Sequence, residues 1–205
     1  MLHHSTIESK TFGLLVDIFK IPFISERFAL AGGTSLALQI GHRRSIDLDL
    51  FSPNSFIPTE IENLLFDYRS FTYEAMGKSE RMLFCNINKV KCDFVHEPFP
   101  LIKPFIEIEN VKLYSVPDIA AMKLHTICGR GKKKDFFDLY ALLQLYSWDQ
   151  LVIWFKQKYG ESQLFFLWKS ITYFSDAEED VDIKGIAPYS TNWENVKNEI
   201  ISKCR

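Results

Sequence analysis

Apolar and polar positions along the chain predict both strands and helices up to Tyr114 and helices alone after it. Helical spacing of apolar residues predicts a helix over 11–19, ended by Pro22, and a helix over 58–68 whose inward-facing residues are Ile61, Leu64 and Leu65. Short apolar runs and period-two alternation predict strands over 28–31, 46–50, 71–76, 82–88, 89–96, 105–108 and 111–114, with a hairpin turn at 77–79. The later predicted helices cover 115–129, a segment from Asp135, 149–159, 162–174 and 193–204. We therefore expect an α/β (α+β) fold, with a small mixed sheet flanked by helices and a helical C-terminal part.

The stretch 28–51 contains a glycine turn followed by the predicted start of a helix. Gly32 and Gly33 permit backbone angles that a side chain forbids, and Thr34 and Ser35 lie where the helix would begin. The free N–H groups and the positive dipole end of a helix start attract phosphates. The turn therefore suggests a phosphate-binding segment, although such a turn is common and is weak evidence by itself.

Two aspartates follow on the next predicted strand. Positions 46–50 alternate strictly, so Asp47 and Asp49 share one face, while Ile46 and the two leucines share the other. Carboxylates supply the hard oxygen ligands that divalent cations prefer, but acids on the outer face of a strand are more often only solvated. Combined with the glycine turn, the two aspartates predict a phosphate-binding site beside a metal-binding site, as nucleotidyl transfer from a triphosphate requires.

At these residues the sequence resembles a known family. Gly32-Gly33-Thr34 followed by Asp47-Leu48-Asp49-Leu50 is similar to the signature of the DNA polymerase beta-like nucleotidyltransferase superfamily. Within that superfamily, segments 31–38 and 42–51 resemble the AbiEii family, the toxins of bacterial abortive-infection, type IV toxin–antitoxin pairs. The resemblance covers roughly 28–145. It implies the polymerase beta-like fold, with a nucleotidyltransferase core over 1–114 and a helical part over 115–205 that completes the active site.

The resemblance also implies roles for the acids and the glycine turn. Asp47 and Asp49 would hold two Mg²⁺ ions, and Asp93, in the middle of a later predicted strand, would supply a third carboxylate, with Glu97 as the alternative. Taken alone, Asp93 is more simply an outward polar residue. The substrate would be an NTP, whose β- and γ-phosphates would be cradled by Gly32, Gly33, Thr34 and Ser35.

A second informative segment is 115–144, which opens with a helix-capping pattern, Ser115-x-x-Asp118. Lys123 lies on one helical stripe with Ile119, Ile127 and Arg130, where it is either a snorkelling lysine or a charge held toward a triphosphate. Segments 123–125 and 134–140 resemble later motifs of AbiEii-like proteins, which implies active-site roles for Lys123 and for one or both of Asp135 and Asp138. For the two acids, helix capping alone is a sufficient explanation.

Charge and composition limit the possible partners. The net charge of −2 gives no global basic signature, so contact with nucleic acid requires a local patch. Relatives of the family add nucleotides to tRNA ends, which makes tRNA the expected acceptor, and a separate antitoxin protein is the other expected partner. The candidate RNA contacts are Arg43, Arg44, Arg130, Lys132, Lys133 and Lys134, although a charge run is usually only solvated.

Further features complete the expectations. Cys85, Cys92, Cys128 and Cys204 show no CxxC spacing, so we expect reduced thiols in a cytoplasmic protein. No apolar run reaches membrane-spanning length, so we expect no membrane contact.

Ser45, two residues before Asp47, is a candidate regulatory site, because a phosphate there would bring negative charge to the metal site. Segment 165–168 is expected in the core, segment 175–182 as a solvated acidic connector, and His125 as a structural residue.

Three other classes of protein remain open from the sequence. The first is a nucleotidyltransferase that modifies a protein or a small molecule, and the second is a catalytically silent nucleotide-binding module. The third is a metal-dependent glycosyltransferase, which also uses an Asp-x-Asp motif. The glycine turn upstream of Asp47 and the small size of the chain argue against the third.

Overall fold

A computed structural model describes residues 1–68 and 70–204, so Arg205 at the end of the predicted helical part lies outside it. Its sheet has seven strands in the spatial order β3-β4-β5-β2-β1-β7-β6. The strands are β1 Ala29–Leu30, β2 Leu48–Ser52, β3 Tyr73–Ser79, β4 Met82–Ile87, β5 Val90–His96, β6 Ile106–Ile108 and β7 Val111–Leu113. The pairs β2–β5 and β1–β7 are parallel and the other neighbours are antiparallel. The predicted α/β fold with a mixed sheet is therefore confirmed.

Helices flank the sheet and fill the C-terminal part. They are α1 Ser9–Phe19, α2 Pro22–Arg27, α3 Gly32–Ile40, α4 Pro58–Asp67, α5 Val116–Arg130, α6 Lys133–Leu145, α7 Trp148–Tyr159, α8 Leu164–Ser170 and α9 Trp193–Lys203. The start of α5 agrees with the predicted cap, because Ser115 Oγ accepts a hydrogen bond from the Asp118 backbone N–H. Gly41, with φ 73°, ends α3 in the left-handed conformation. No helix among the described residues has the length and apolar character needed to cross a membrane.

Two buried apolar clusters lie on opposite sides of β1. Phe28 and Leu30 belong to a cluster with α1, α2, α4 and one face of the sheet. Ala29 and Ala31 belong to a second cluster, formed mainly by α5 to α9. Successive strand residues point to opposite faces, so this short strand separates the two cores. The helical C-terminal part thus packs on the sheet face opposite α1.

Three local predictions are wrong. The predicted turn residues 77–79 belong to β3, and the chain reverses after Ser79, because a register shift between Ala75 and Gly77 carries the strand past its glycine. Ile46 is 67% exposed, since β2 begins only at Leu48. Leu64, expected to face inward, is exposed on α4. Pro22 follows the end of α1, as predicted, and it also begins α2, where the fixed φ of proline suits the first helical turn.

The aromatic segment 165–168 also differs from its prediction. Leu167 is buried, but Phe165, Phe166 and Trp168 are 61%, 53% and 47% exposed. The reason is that α8 has seven residues and contacts α5 through one face, so the neighbours of Leu167 project away from it. The expected core cluster is a surface feature instead.

A buried ion pair ties α5 to α7 and to the loop that precedes β6. Asp118 and Lys158 are both buried, and Lys158 Nζ lies 3.1 Å from Asp118 Oδ1. Asp118 also accepts from the backbone N–H groups of Ile102 and Lys103, while Lys158 donates to the carbonyl of Pro100. Every strong polar group of the pair thus has a partner, as burial of charge requires.

Candidate active site

A cleft of ≈ 480 Å³ opens between the sheet and α5. Its walls come from the start of α3, the segment that leads into β2, the strands β4 and β5, the inner side of α5, the start of α6 and the end of α7. Of the sequence-predicted site residues, the cleft is lined by Gly32, Gly33, Arg43, Ser45, Asp47, Asp49, Asp93, Lys123, Arg130, Lys134 and Asp135. Residues from distant parts of the sequence therefore meet at one place in the fold.

Carboxylates occupy the sheet side of the cleft. Asp49 on β2 lies directly opposite Asp93 on β5 in the parallel register, so the two side chains share one face, and Asp47 precedes Asp49 by two residues. Burial raises the pKa of the Asp49 carboxyl above its ordinary value, and the charges of Asp93 and Asp47 raise it further against the opposing charge of Lys123. These acids repel one another, so a cation placed between them would be favoured.

Asp93 and Asp47 each have a lysine as ion-pair partner. Lys91 Nζ lies 2.7 Å from Asp93 Oδ2, and Lys134 Nζ lies 3.7 Å from Asp47 Oδ2. Asp93 Oδ1 is buried and has no hydrogen-bond partner within the described residues. Across 1–68 and 70–204, no three His, Cys, Asp or Glu side chains converge into a group that would hold a metal ion. The predicted metal set of Asp47, Asp49 and Asp93 therefore stays a prediction.

Lys91 was missed by sequence reasoning. It lies two residues before Asp93 on β5 and lines the cleft on the same face. The period-two spacing that places Asp93 on one face of the strand also places Lys91 there, whereas the candidacy of Asp93 came from the family resemblance.

The two glycines make room for side chains. At Gly32, where φ is 63°, a Cβ would lie 2.1 Å from Asp49 Oδ2. At Gly33, a Cβ would lie 2.3 Å from Arg43 Nη2. Both distances are far below van der Waals contact, so any side chain here would displace the Asp49 carboxylate or the Arg43 guanidinium. The structure thus gives the glycine pair a role in positioning Asp49 and Arg43.

Thr34 and Ser35, predicted to cradle phosphates, point into the protein. Both are buried and neither lines the cleft. The Thr34 hydroxyl donates to the carbonyl of Asp47 and lies 2.8 Å from Ser45 Oγ. Ser35 Oγ accepts from the side-chain amide of Gln39. Their side chains are occupied by internal partners because α3 buries this face, so Thr34 fixes the segment that carries Asp47.

Four charged side chains form a buried ion cluster behind the carboxylates: Arg43, Lys123, Asp135 and Asp138. Asp138 Oδ1 accepts from Arg43 Nε at 2.6 Å, and Oδ2 from Arg43 Nη2 at 3.0 Å and Lys123 Nζ at 2.6 Å. Lys123 Nζ also donates to Asp135 Oδ1 at 2.9 Å. Two positive charges thus balance two negative charges, and the cluster joins the segment after α3 to α5 and α6.

Protonation states in the ion cluster follow from these contacts. Burial alone would raise the pKa of Asp138, but the charges of Arg43 and Lys123 outweigh it and hold that pKa well below the ordinary range. Burial opposes the charge of Lys123 as well, yet Asp138 and Asp135 raise its pKa. Burial lowers the pKa of His42, so the neutral ring donates from Nε2 to Asp138 Oδ1 at 2.6 Å. The cluster therefore stays ionised at neutral pH.

Two of the six predicted RNA contacts are unavailable. Arg43 is 5% exposed in the ion cluster. Lys133 is 3% exposed, with Nζ bound to the carbonyl of Asp180 and to Asp182 Oδ1. The acidic segment 175–182 is thus more than a solvated connector, because it neutralises a buried lysine. The other four candidates keep exposed or partly exposed side chains: Arg44, Arg130, Lys132 and Lys134.

Comparisons by sequence identify relatives of the chain. Residues 13–201 match the family model described as "Nucleotidyl transferase AbiEii toxin, Type IV TA system". The uncharacterized protein aq_aa25 of Aquifex aeolicus (strain VF5) is 32% identical over 179 residues, which cover 85% of this chain and 84% of that protein. Both matches extend across the cleft residues and the helical part.

Solved structures share the fold. The chain is similar to MenT4, the nucleotidyltransferase toxin Rv2826c from Mycobacterium tuberculosis H37Rv, with a TM-score of 0.56 and 13% identity over 96% of this chain and 84% of that one. It is also similar to JHP933 from Helicobacter pylori, with a TM-score of 0.52 and 16% identity over 97% and 91%. At these identities the likeness concerns the fold alone.

The ion cluster predicts a specific pH dependence. Asp138→Asn leaves Arg43 and Lys123 without a buried counter-charge, so the free energy of unfolding at pH 7 should fall by about 3–5 kcal/mol. Because the folded-state pKa of Asp138 lies below the unfolded value, its contribution is complete above about pH 4 and is lost as pH falls through the folded pKa. Urea unfolding at several pH values measures the difference between the two proteins.

The difference should stay constant from about pH 8 to 5 and shrink at lower pH. Asp149→Asn, at an exposed first-turn position of α7, is the matched control and should cost less than about 1 kcal/mol. Equal losses in the two variants at pH 7 would contradict the role given to Asp138.

Proposed function

The chain belongs to the AbiEii family of nucleotidyltransferase toxins of type IV toxin–antitoxin systems, and we propose that it transfers a nucleotide from an NTP to tRNA in a Mg²⁺-dependent reaction. The observation that carries the proposal is the pairing of Asp49 with Asp93 across parallel strands, beside the close backbone of Gly32. Acids held at this spacing in a cleft, next to a helix start, suit a metal-bound triphosphate.

Mg²⁺ suits the residues present. Burial raises the pKa of Asp49, to which the charges of Asp93 and Asp47 add, and Asp93 Oδ1 is buried without a partner in the described part of the chain. Asp47 and Asp49 would hold one ion, and Asp93 would help hold a second once Lys91 leaves its Oδ2. When bound, the ions neutralise the triphosphate and stabilise the attacking and leaving oxygens.

The chain's own groups supply the remaining roles. Gly32 and Gly33 form the start of α3 at the cleft. The free backbone N–H groups of this helix start would bind the β- and γ-phosphates. Lys123 also lines the cleft, and its charge, balanced in the ion cluster by Asp135 and Asp138, is the lysine charge proposed to face the phosphates. The acceptor hydroxyl attacks the α-phosphorus, the bond to the β-phosphate breaks, pyrophosphate leaves, and Asp93 takes the hydroxyl proton.

An RNA acceptor is supported by the basic residues at the rim of the cleft. Arg130 and Lys134 line the cleft. Arg44 and Lys132 are exposed and lie within two residues of a cleft-lining residue in the sequence. Such residues contact phosphates without reading sequence. In the cell, we propose that a separate antitoxin holds the enzyme in check. Transfer to a protein or a small molecule is the alternative, and so is a silent nucleotide-binding module.

Removal of one carboxylate tests the reaction. Asp49→Asn keeps the size of the side chain but removes the charge between Asp47 and Asp93, so incorporation of labelled NTP into total tRNA should fall at least about 100-fold. Growth arrest on expression should be relieved as well. Asp149→Asn should retain wild-type incorporation.

Full activity of Asp49→Asn would overturn the mechanism. Label that enters protein instead of RNA, in the wild type, would favour the alternative acceptor. No transfer by the wild type with any of the four NTPs and tRNA would favour the silent module.

Ser45 is the proposed regulatory position. Its Oγ lies beside Thr34 on the wall of the cleft, two residues before Asp47. Negative charge there should compete for Mg²⁺ and repel the triphosphate. Ser45→Glu should therefore lower transfer at least about tenfold, whereas Ser45→Ala should keep most of it. A fully active Ser45→Glu enzyme would rule out control by charge at this residue.

A further inference from the structure

The cleft extends beyond its acidic end. Asp93, Val95 and Glu97 follow one another on one face of the chain along and just after β5, and all three line the cleft. Four residues of extended strand place Glu97 about 13 Å from Asp93. An NTP whose phosphates lie at the acids therefore has room to extend its base toward Glu97.

Aromatic rings form one wall at this far end. His125 of α5 and Tyr159 of α7 stack with ring centres 4.2 Å apart and an interplanar angle of 11°, and both line the cleft. Phe99 packs edge-on against Tyr159 at 4.6 Å. Met82 of β4, which lies opposite Val95, also lines the cleft. Aromatic side chains in the wall of a cleft can bind a nucleobase by stacking.

Glu97 is the polar group at this end that has an unused acceptor. Its Oε1 accepts a hydrogen bond from the Tyr159 hydroxyl at 3.0 Å, and its Oε2 has no partner within the described residues. Lys158, the lysine whose charge acts on Glu97, has its Nζ engaged with Asp118. Burial raises the pKa of Glu97 above its ordinary value. Glu97 is only partly buried and lines the cleft, so a donor on a ligand can reach its Oε2.

We propose that Glu97 selects the NTP by its base, favouring bases that carry an exocyclic amino group, as in CTP, ATP and GTP, over the uracil of UTP. The inference rests on the proposed nucleotidyl transfer. An amino group donates an N–H bond to Glu97 Oε2. Uracil offers only a ring N–H between two carbonyl oxygens, which a carboxylate repels. Tyr159 then has two tasks, because it orients Glu97 and supports the stack.

Calorimetric titration tests this selection without catalysis. Non-reactive α,β-methylene analogues of the four NTPs are titrated with Mg²⁺ into the wild type, Glu97→Gln and the control Glu107→Gln, at an exposed position of β6. The wild type and the control should bind the three amino-bearing analogues at least about tenfold more tightly than the UTP analogue. Glu97→Gln should lose this preference and bind the UTP analogue more tightly than the wild type does, because an amide both donates and accepts.

The outcomes separate this inference from the function that it rests on. Equal binding of all four analogues by the wild type, or an unchanged preference in Glu97→Gln, overturns the base selection while nucleotide binding stands. Failure of all four analogues to bind the wild type overturns the proposed function together with the inference. A merely structural Glu97 would change the unfolding midpoint but not the preference.

Discussion

The buried contact of Asp138 with Arg43 and Lys123 is the interaction on which the rest of the site depends. It joins three separate segments, the one that leads into β2 and the helices α5 and α6. Burial of charge is costly unless each charge is paired and hydrogen-bonded, and here Asp135 completes the balance. The helical part therefore docks on the sheet in one orientation, and that orientation defines one wall of the cleft.

The glycine pair and the carboxylates follow from this docking. Arg43 reaches Asp138 by lying where a side chain at position 33 would be, and the Asp49 carboxylate uses the space at position 32. The parallel register of β2 and β5 then sets Asp93 beside Asp49. A motif associated with phosphate binding thus also has a packing role, which explains why its residues and the distant Asp138 depend on one another.

Local sequence patterns predict which face of a strand or helix a residue occupies better than they predict which distant residue its side chain contacts. Alternation on β2 and β5 gave the orientation of Asp49 and Asp93, and the Ser115 cap gave the start of α5, because both signals are local. The partners of Lys133 and Arg43 lie far along the chain, and no local pattern reports them. The aromatic residues of α8 were predicted to lie in the core but are exposed. Composition does not reveal which side of a short helix is covered by the rest of the protein.

A charge-balanced double variant tests most directly whether the ion cluster serves the active site. Arg43→Met combined with Asp138→Leu removes one positive and one negative charge and leaves Lys123 paired with Asp135. Replacement of a buried ion pair by apolar residues is often neutral for stability, so the variant should remain folded. Its rate of nucleotide transfer to tRNA, measured beside its unfolding midpoint, should fall at least about 100-fold. A folded double variant with the wild-type rate would contradict the account.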